Sequence, residues 1–263
     1  MPRAALVLLL WALVLPGRAA RPGGLTLLKE YPRSFAPLPG TPVRLRGSWK
    51  ENLHASHTFF GPSALPMEQG QGYYQNNYII MHSAWFAPLD HVAIGGGFQM
   101  LSLVASLRNT GKLPAYYLAL RANTEMGGNV HVGIFAVGAQ LSDGALLQDT
   151  LSLRGRIGVA AGQVTVGTPD AHGTFSLGWG ATKDGLTSDP VIGLSGQVRL
   201  IERMALVTEN WWFHFAGQPF SVYTLGARFL TNKLGADGGL LYSAQFSKEV
   251  SPILPYIGFA LRF

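Results

Sequence analysis

The side chains that could do chemistry are thinly spread in this sequence. Seven histidines are present, and none stands in H-E-x-x-H or a comparable metal spacing. His54 and His57 would share a face only on a helix, and the residues around them read as loop or strand. His82 next to Ser83 is the nearest approach to a base and a nucleophile, but adjacent residues on a strand point to opposite faces. No G-x-S-x-G turn is there to expose a serine. Gly95-Gly96-Gly97 lacks the Lys-Ser/Thr that would make it a phosphate loop, so it reads as a kink in a strand. The absence of cysteine removes thiolate metal sites and disulfides. No residue is therefore assigned a catalytic, cofactor-binding or metal-binding role, and no enzyme is expected.

Charge is the chemistry that remains, and there is little of it. Only 13% of residues are charged, against about a quarter in an ordinary globular domain. The formal charge is +6, yet the basic residues stand singly within apolar alternation rather than in patches, which argues against a nucleic-acid partner. Six charges fall on the small, polar parity of alternating segments: Arg154, Arg156, Arg199, Arg228, Asp237 and Arg262. They are expected to point into a lumen and make it net positive. If Asn232-Lys233 is a two-residue turn, Arg228 and Asp237 face each other across two strands. The favoured reading is a structural salt bridge near the periplasmic end; the sharper one makes Arg154, Arg156 and Arg199 a positive constriction that favours anions.

The elements that must position these charges are strands. Eleven strand-like segments follow one another: Gly72–Trp85, His91–Leu101, Ala115–Ala122, Asn129–Gln140, Leu153–Val166, Gly173–Ala181, Val191–Leu200, Met204–Phe213, Ser221–Leu230, Gly235–Ala244 and Ile253–Phe263. Most are close to the ~9–11 residues that a tilted membrane strand needs. Leu177, Leu194 and Leu225 alternate with Ser176, Ser195 and Thr224. Large residues on one face and Gly, Ser and Thr on the other leave too little bulk for a soluble core, and fit a lipid-facing exterior around a polar lumen. After the first 20 residues there is no apolar run long enough for a spanning helix. The fold expected is all-β, an antiparallel up-and-down transmembrane barrel.

Short and longer connections alternate along the chain. The longer ones are near Ser102–Pro114, Leu141–Ser152, Thr182–Pro190, His214–Phe220 and Gln245–Pro252. With short turns on the periplasmic side, the last strand descends, and a further ascending strand is required within Val43–Phe60. That gives about twelve strands; ten with an N-terminal plug is the alternative. Two points stay open: whether Glu209 or Asn210 faces inward, and whether the second half of Gly96–Arg108 is helical.

Two ends of the chain act as addresses. Met1-Pro-Arg3, the apolar run Ala4–Leu15 and Pro16-Gly17-Arg18-Ala19 make a signal peptide over residues 1–19. Residues 20–42 are a Pro- and Gly-rich linker, and 43–263 the barrel. At the other end Ile257, Phe259, Leu261 and Phe263 alternate with Tyr256, Gly258, Ala260 and Arg262. This closing strand resembles the assembly signal of bacterial outer-membrane barrels, carried here by Tyr256, Phe259, Leu261 and Phe263. Localisation in the bacterial outer membrane is implied, with outer-membrane lipid and the barrel-assembly machinery as partners and a monomer as the state.

The most distinctive strings are Phe59-Phe60-Gly61-Pro62-Ser63-Ala64-Leu65-Pro66 and Gly70-Gln71-Gly72-Tyr73-Tyr74-Gln75-Asn76. From about His57 to Phe263 the chain resembles a family of uncharacterised Bacteroidetes-type outer-membrane β-barrel proteins, which share F-F-x-P-S-A and G-x-G-Y-Y-Q-N strings. The resemblance implies fold and location, and no activity. The function expected is a narrow, porin-like conduit for a small solute or a lipid-like molecule. A structural or interaction barrel with a packed lumen is the alternative, and an outer-membrane lipid-modifying enzyme or a soluble secreted β-protein is less favoured. The sequence names no ligand.

Overall fold

A computed structural model describes residues 49, 52, 54–108, 114–141, 155–183, 185–215, 218–244 and 253–263. The expected signal peptide, the linker and Arg154 lie outside these residues. Twelve strands form one closed antiparallel barrel. They are β1 (Gly72–Asn77), β2 (Met81–Leu89), β3 (Val92–Gln99), β4 (Tyr116–Gly127), β5 (Val130–Leu141), β6 (Gly155–Thr168), β7 (Ala171–Thr182), β8 (Gly185–Ile201), β9 (Met204–Phe215), β10 (Gln218–Leu230), β11 (Leu234–Tyr242) and β12 (Ile253–Arg262). Each pairs with its neighbours in sequence, and β1 closes on β12. Helix α1 (Met100–Arg108) follows β3, so the second half of the Gly96–Arg108 segment is helical. Ser102 ties its first turn to the barrel, donating to Gln99 O and accepting from Ala115 N, both at 2.8 Å. Among the described residues no helix is long and apolar enough to cross a membrane.

The period of two sorts the side chains inside out. Leu194, Leu225, Ile134, Phe175 and Ile257 are exposed on the outer wall, and Ser176, Thr224, Gln197, Thr165 and Thr174 are buried in the lumen. A soluble barrel would reverse that sorting; lipid around the wall requires it. At one end the connections are tight: Asp90–His91, Gly128–Asn129, Pro169–Asp170, Glu202–Arg203 and Thr231–Lys233. Phe263 lies at that same end, exchanging backbone hydrogen bonds with Gly72 at 2.9 and 3.0 Å to complete the seam.

The twelfth strand has a different origin from the one expected. Gly72–Trp85 is not one strand but two, β1 and β2, folded at Tyr78–Ile80. Tyr78 and Ile79 take positive φ there, 56° and 66°. No glycine marks the turn, so the sequence gives no warning of it. The described part of Val43–Phe60 does not join the wall. Instead residues 52 and 54–67 occupy the lumen as a plug, the element held in the ten-strand alternative, within a barrel of twelve.

Two connections expected to be long are hairpins. β7 and β8 run on to Thr182 and Gly185, and β9 and β10 to Phe215 and Gln218. Extending the ladder satisfies backbone groups that an open loop would leave to solvent.

Candidate functional site

The plug is built from the string that stood out in the sequence. Thr58 and Gly61 close a tight turn, with Thr58 N and Oγ1 both donating to Gly61 O at 2.9 and 3.1 Å. Ser63 ties the two arms together through Ser56 O and Ala55 O. A ribbon this short has no core of its own. Its buried N–H and C=O groups must find partners on the surrounding wall.

Wall side chains supply those partners. Arg228 of β10 donates to His54 O at 3.0 Å, His57 O at 2.9 Å and Thr58 O at 2.8 Å. Arg121 of β4 donates to Ser56 O at 2.6 Å, Gln163 of β6 to Pro62 O at 2.7 Å, and Gln75 of β1 to Phe59 O at 2.6 Å. Thr165 accepts from Ala64 N at 2.8 Å. Glu209 of β9 takes the turn itself: Phe60 N and Gly61 N donate to its two carboxylate oxygens at 2.8 and 2.7 Å. Phe59 is fully buried against Tyr256, ring centroids 4.6 Å apart, and His57 stacks on Tyr73 at 4.3 Å.

Three inward charges, Arg121, Glu209 and Arg228, thus hold the plug directly. Arg228 and Asp237 face each other in register and form a buried ion pair, as the turn at Asn232-Lys233 requires. Arg199 is also buried, held by Asp170 at 3.0 Å and by Glu202 O, with its guanidinium 5.2 Å from the Trp49 ring. Arg262 reaches Gln71 beside the seam. Arg156 departs from expectation. It is exposed on the outward register of β6, where its Nε reaches Gln140 Oε1 at 3.3 Å. Arg156 and Arg199 therefore do not combine into a constriction.

Of the charges that hold the plug, Arg121 was missed and Glu209 was left open. Arg121 lies on the parity opposite Leu118 and Leu120, so alternation alone could have placed it inward. For Glu209 the deciding signal is the Glu202–Arg203 turn, from which β9 starts with Ala205, Val207 and Glu209 inside.

The plug carries two histidines with displaced titration. Burial, then the positive charge of Arg228, holds His54 down to about 3 and His57 well below its ordinary range. Neither ring nitrogen of His57 has a hydrogen-bond partner. Burial and the neighbouring Arg228 favour the neutral form of both imidazoles while the plug is seated. Among the described residues no three His, Asp or Glu side chains gather as a metal site.

Against the plug lies a chamber of about 460 Å³ with Phe60, Gly61 and Pro62 along one side. Its walls are apolar: Trp85, Phe135, Val137, Val159, Val191 and Trp211 all contribute. Glycines make room for the rings. A Cβ on Gly95 would collide with the Trp85 indole, and one on Gly193 would come within 2.6 Å of Trp211. The Gly95 position thus gives ring clearance, where the sequence suggested a kink. The chamber also explains Arg156. Ile157 and Val159 turn inward to line it, so the rule of large residues outside and small polar ones inside reverses in this part of β6.

No protein-family model and no curated protein matches the sequence. Solved structures do align with it at low similarity. The Salmonella typhi OmpF complex with daunomycin aligns at 10% identity and a TM-score of 0.35, over 70% of this chain and 61% of that one. The chain thus spans less than two thirds of the OmpF length. The outer membrane protein Omp33 of Acinetobacter baumannii aligns at 9% identity and a TM-score of 0.36, over 74% of this chain and 97% of that one. The chain's own geometry defines the class: a closed antiparallel β-barrel of twelve strands with an apolar exterior and an internal plug.

Proposed function

We propose that the protein is a monomeric bacterial outer-membrane conduit closed at rest by its own segment 52–67. The observation that carries this reading is the unfilled chamber lying directly against the plug. A barrel with a purely structural task gains by packing its lumen with side chains, since voids forfeit contacts. Here one part of the lumen is sealed and the next is left open. The seal is polar and non-covalent, made of wall side chains that hold plug backbone groups, so it can be released without breaking the wall. The expected leader segment 1–19 and the aromatic strand Ile253–Arg262 support a reading of secretion and insertion by the barrel-assembly machinery.

The structural alternative draws on the same contacts, because a plug held by buried charges could be permanent. Planar-bilayer recording separates the two. The wild type is expected to be closed for most of the record, and a variant lacking residues 52–67 to conduct steadily. If that variant assembles with normal heat-modifiable migration yet conducts no more than the wild type, the conduit reading is overturned.

A further inference from the structure

The chamber has chemistry specific enough to name its occupant. We infer that it binds an uncharged, predominantly apolar small molecule, aromatic or aliphatic. This deepens the conduit reading by naming its substrate class, and rests on that reading for its biological meaning; the binding step itself needs no movement of the plug.

Charge is excluded first. None of the 24 residues lining the chamber is Asp, Glu, Lys or Arg. A charged group placed there would lose its hydration with no partner to replace it. Two histidines stand in the lining: His82, whose Nδ1 is held by Tyr74 at 2.5 Å and Asn76 at 3.1 Å, and His214, which stands 3.8 Å from Asp189 with both side chains partly exposed.

Hydrogen bonding is limited next, because most polar groups in the lining are engaged within the protein. Gln75 donates to Phe59 O at 2.6 Å, and Asn77 Oδ1 accepts from Tyr256 at 2.8 Å. Ser83 donates to Gln75 O at 3.3 Å and Thr187 to Asp189 O at 3.0 Å. Trp211 turns its indole N–H to Glu209 at 2.6 Å, which leaves hydrocarbon facing the space. A site that must recognise a hydroxyl or an amide keeps donors and acceptors free for it. This one has spent most of them on the protein.

Size and shape complete the description. At about 460 Å³ the chamber falls within the range of small-molecule sites. Phe135 meets Trp211 edge to face with centroids 6.2 Å apart, and the Trp85 indole lies flat over Gly95. Water is a poor occupant of a space with so few available polar partners.

The test uses full-length protein in phosphatidylcholine nanodiscs and three photoreactive diazirine probes of equal chain length. One is a neutral alkane, one carries a carboxylate and one a trimethylammonium group. Adducts are mapped by peptide mass spectrometry. The neutral probe is expected to label Val137 and Val159 saturably, and the charged probes to label them about a hundredfold less, as an unpaired buried charge requires. Filling the chamber with Val159→Trp should lower the lumen adducts about tenfold, while adducts on lipid-facing Ile134 and Leu194 stay unchanged. Val137→Phe replaces that variant if it fails to assemble. Neutral labelling confined to Ile134 and Leu194, or indifferent to filling, overturns the site; equal labelling by the charged probes overturns the ligand class. Conductance does not enter, so saturable neutral labelling with a plug that never opens would keep the site and remove the conduit.

Discussion

Arg228 grips Asp237 through two parallel hydrogen bonds, Nε to Oδ1 at 2.7 Å and Nη2 to Oδ2 at 2.9 Å, and turns its other donors onto the plug. The pair spans β10 and β11 and is fully buried. Taking two charges out of water is repaid only when geometry and further hydrogen bonds are good. Here the plug provides the further bonds, through the carbonyls of His54, His57 and Thr58. Wall and plug are therefore coupled: the ion pair orients the guanidinium, and the guanidinium seats the ribbon.

That coupling predicts the outcome of removing one charge. Asp237→Asn leaves the Arg228 guanidinium buried without its counter-ion, and removing one member of a buried pair costs about 3–5 kcal/mol. Barrel unfolding, followed by heat-modifiable migration against temperature or urea, should shift accordingly. Arg228→Met with Asp237→Leu should recover much of the barrel's stability while leaving the plug carbonyls unpaired, so bilayer openings become frequent. Equal stability in Asp237→Asn and the wild type would show that the pair carries no such weight.

How much of this was legible depends on the kind of constraint each residue obeys. The Arg228–Asp237 pairing follows from a turn and a register, both local, so sequence spacing places it. Leu194 outside and Ser195 inside follow from a period of two. Arg156 was misplaced because the rule assumed a polar lumen throughout, and around Ile157 and Val159 the lumen is apolar. The plug was harder still. Residues 52–67 have no period, because they are held by contacts from strands far away in sequence, such as Gln163 to Pro62 and Arg228 to Thr58. Nothing local records such contacts. The fold at Tyr78–Ile80 was hidden for a similar reason, since β12 and the wall, rather than a turn residue, determine it.

Glu209 links the chamber to the plug. One of its carboxylate oxygens accepts from both Gly61 N and Trp211 Nε1, the other from Phe60 N. Glu209→Gln keeps the shape but removes the charge and presents an amide N–H₂ to one of these donors. Hydrogen bonds to a charged group contribute about 1.5–3 kcal/mol, so the frequency of bilayer openings should rise on the order of tenfold to a hundredfold. Glu209→Ala should go at least as far. A Glu209→Gln channel with wild-type opening frequency would mean that the carboxylate does not restrain the plug.

The displaced histidines give the seal a pH dependence with a definite sign. His54 sits at about 3 and His57 well below its ordinary value when the plug is seated, whereas a released plug titrates near the usual ~6.5. The released state then binds more protons below ~6.5, so seating weakens as pH falls through that value and continues to weaken toward about 3, where His54 itself protonates in place. Each group contributes up to about 1.4 kcal/mol per pH unit. Open probability should therefore climb between about pH 6 and pH 4.5, and the climb should flatten in a His54→Leu, His57→Phe variant, in which the ring at 57 can still stack on Tyr73. The same climb in that variant would assign the effect to other groups.

The closing strand makes the last prediction. Phe263 exchanges both backbone hydrogen bonds with Gly72, and its side chain stays largely exposed on the lipid side, in line with Ile257, Phe259 and Leu261. A Cβ on Gly72 would collide with the Phe263 ring, so this glycine keeps the space that the terminal ring occupies. The residue is therefore both a rung of the β1–β12 seam and part of the greasy face. Removing it breaks two seam hydrogen bonds next to a pairing between β1 and β12 that covers only Tyr73 to Asn77. Deletion of Phe263 should leave exported protein that lacks heat-modifiable migration and is degraded by periplasmic protease. Phe263→Tyr should assemble normally, and Phe263→Asp should fail although its backbone can still pair, because the aromatic ring is lost and a charge is set against lipid. Normal assembly of the Asp variant would mean that the seam hydrogen bonds alone are what the strand end provides.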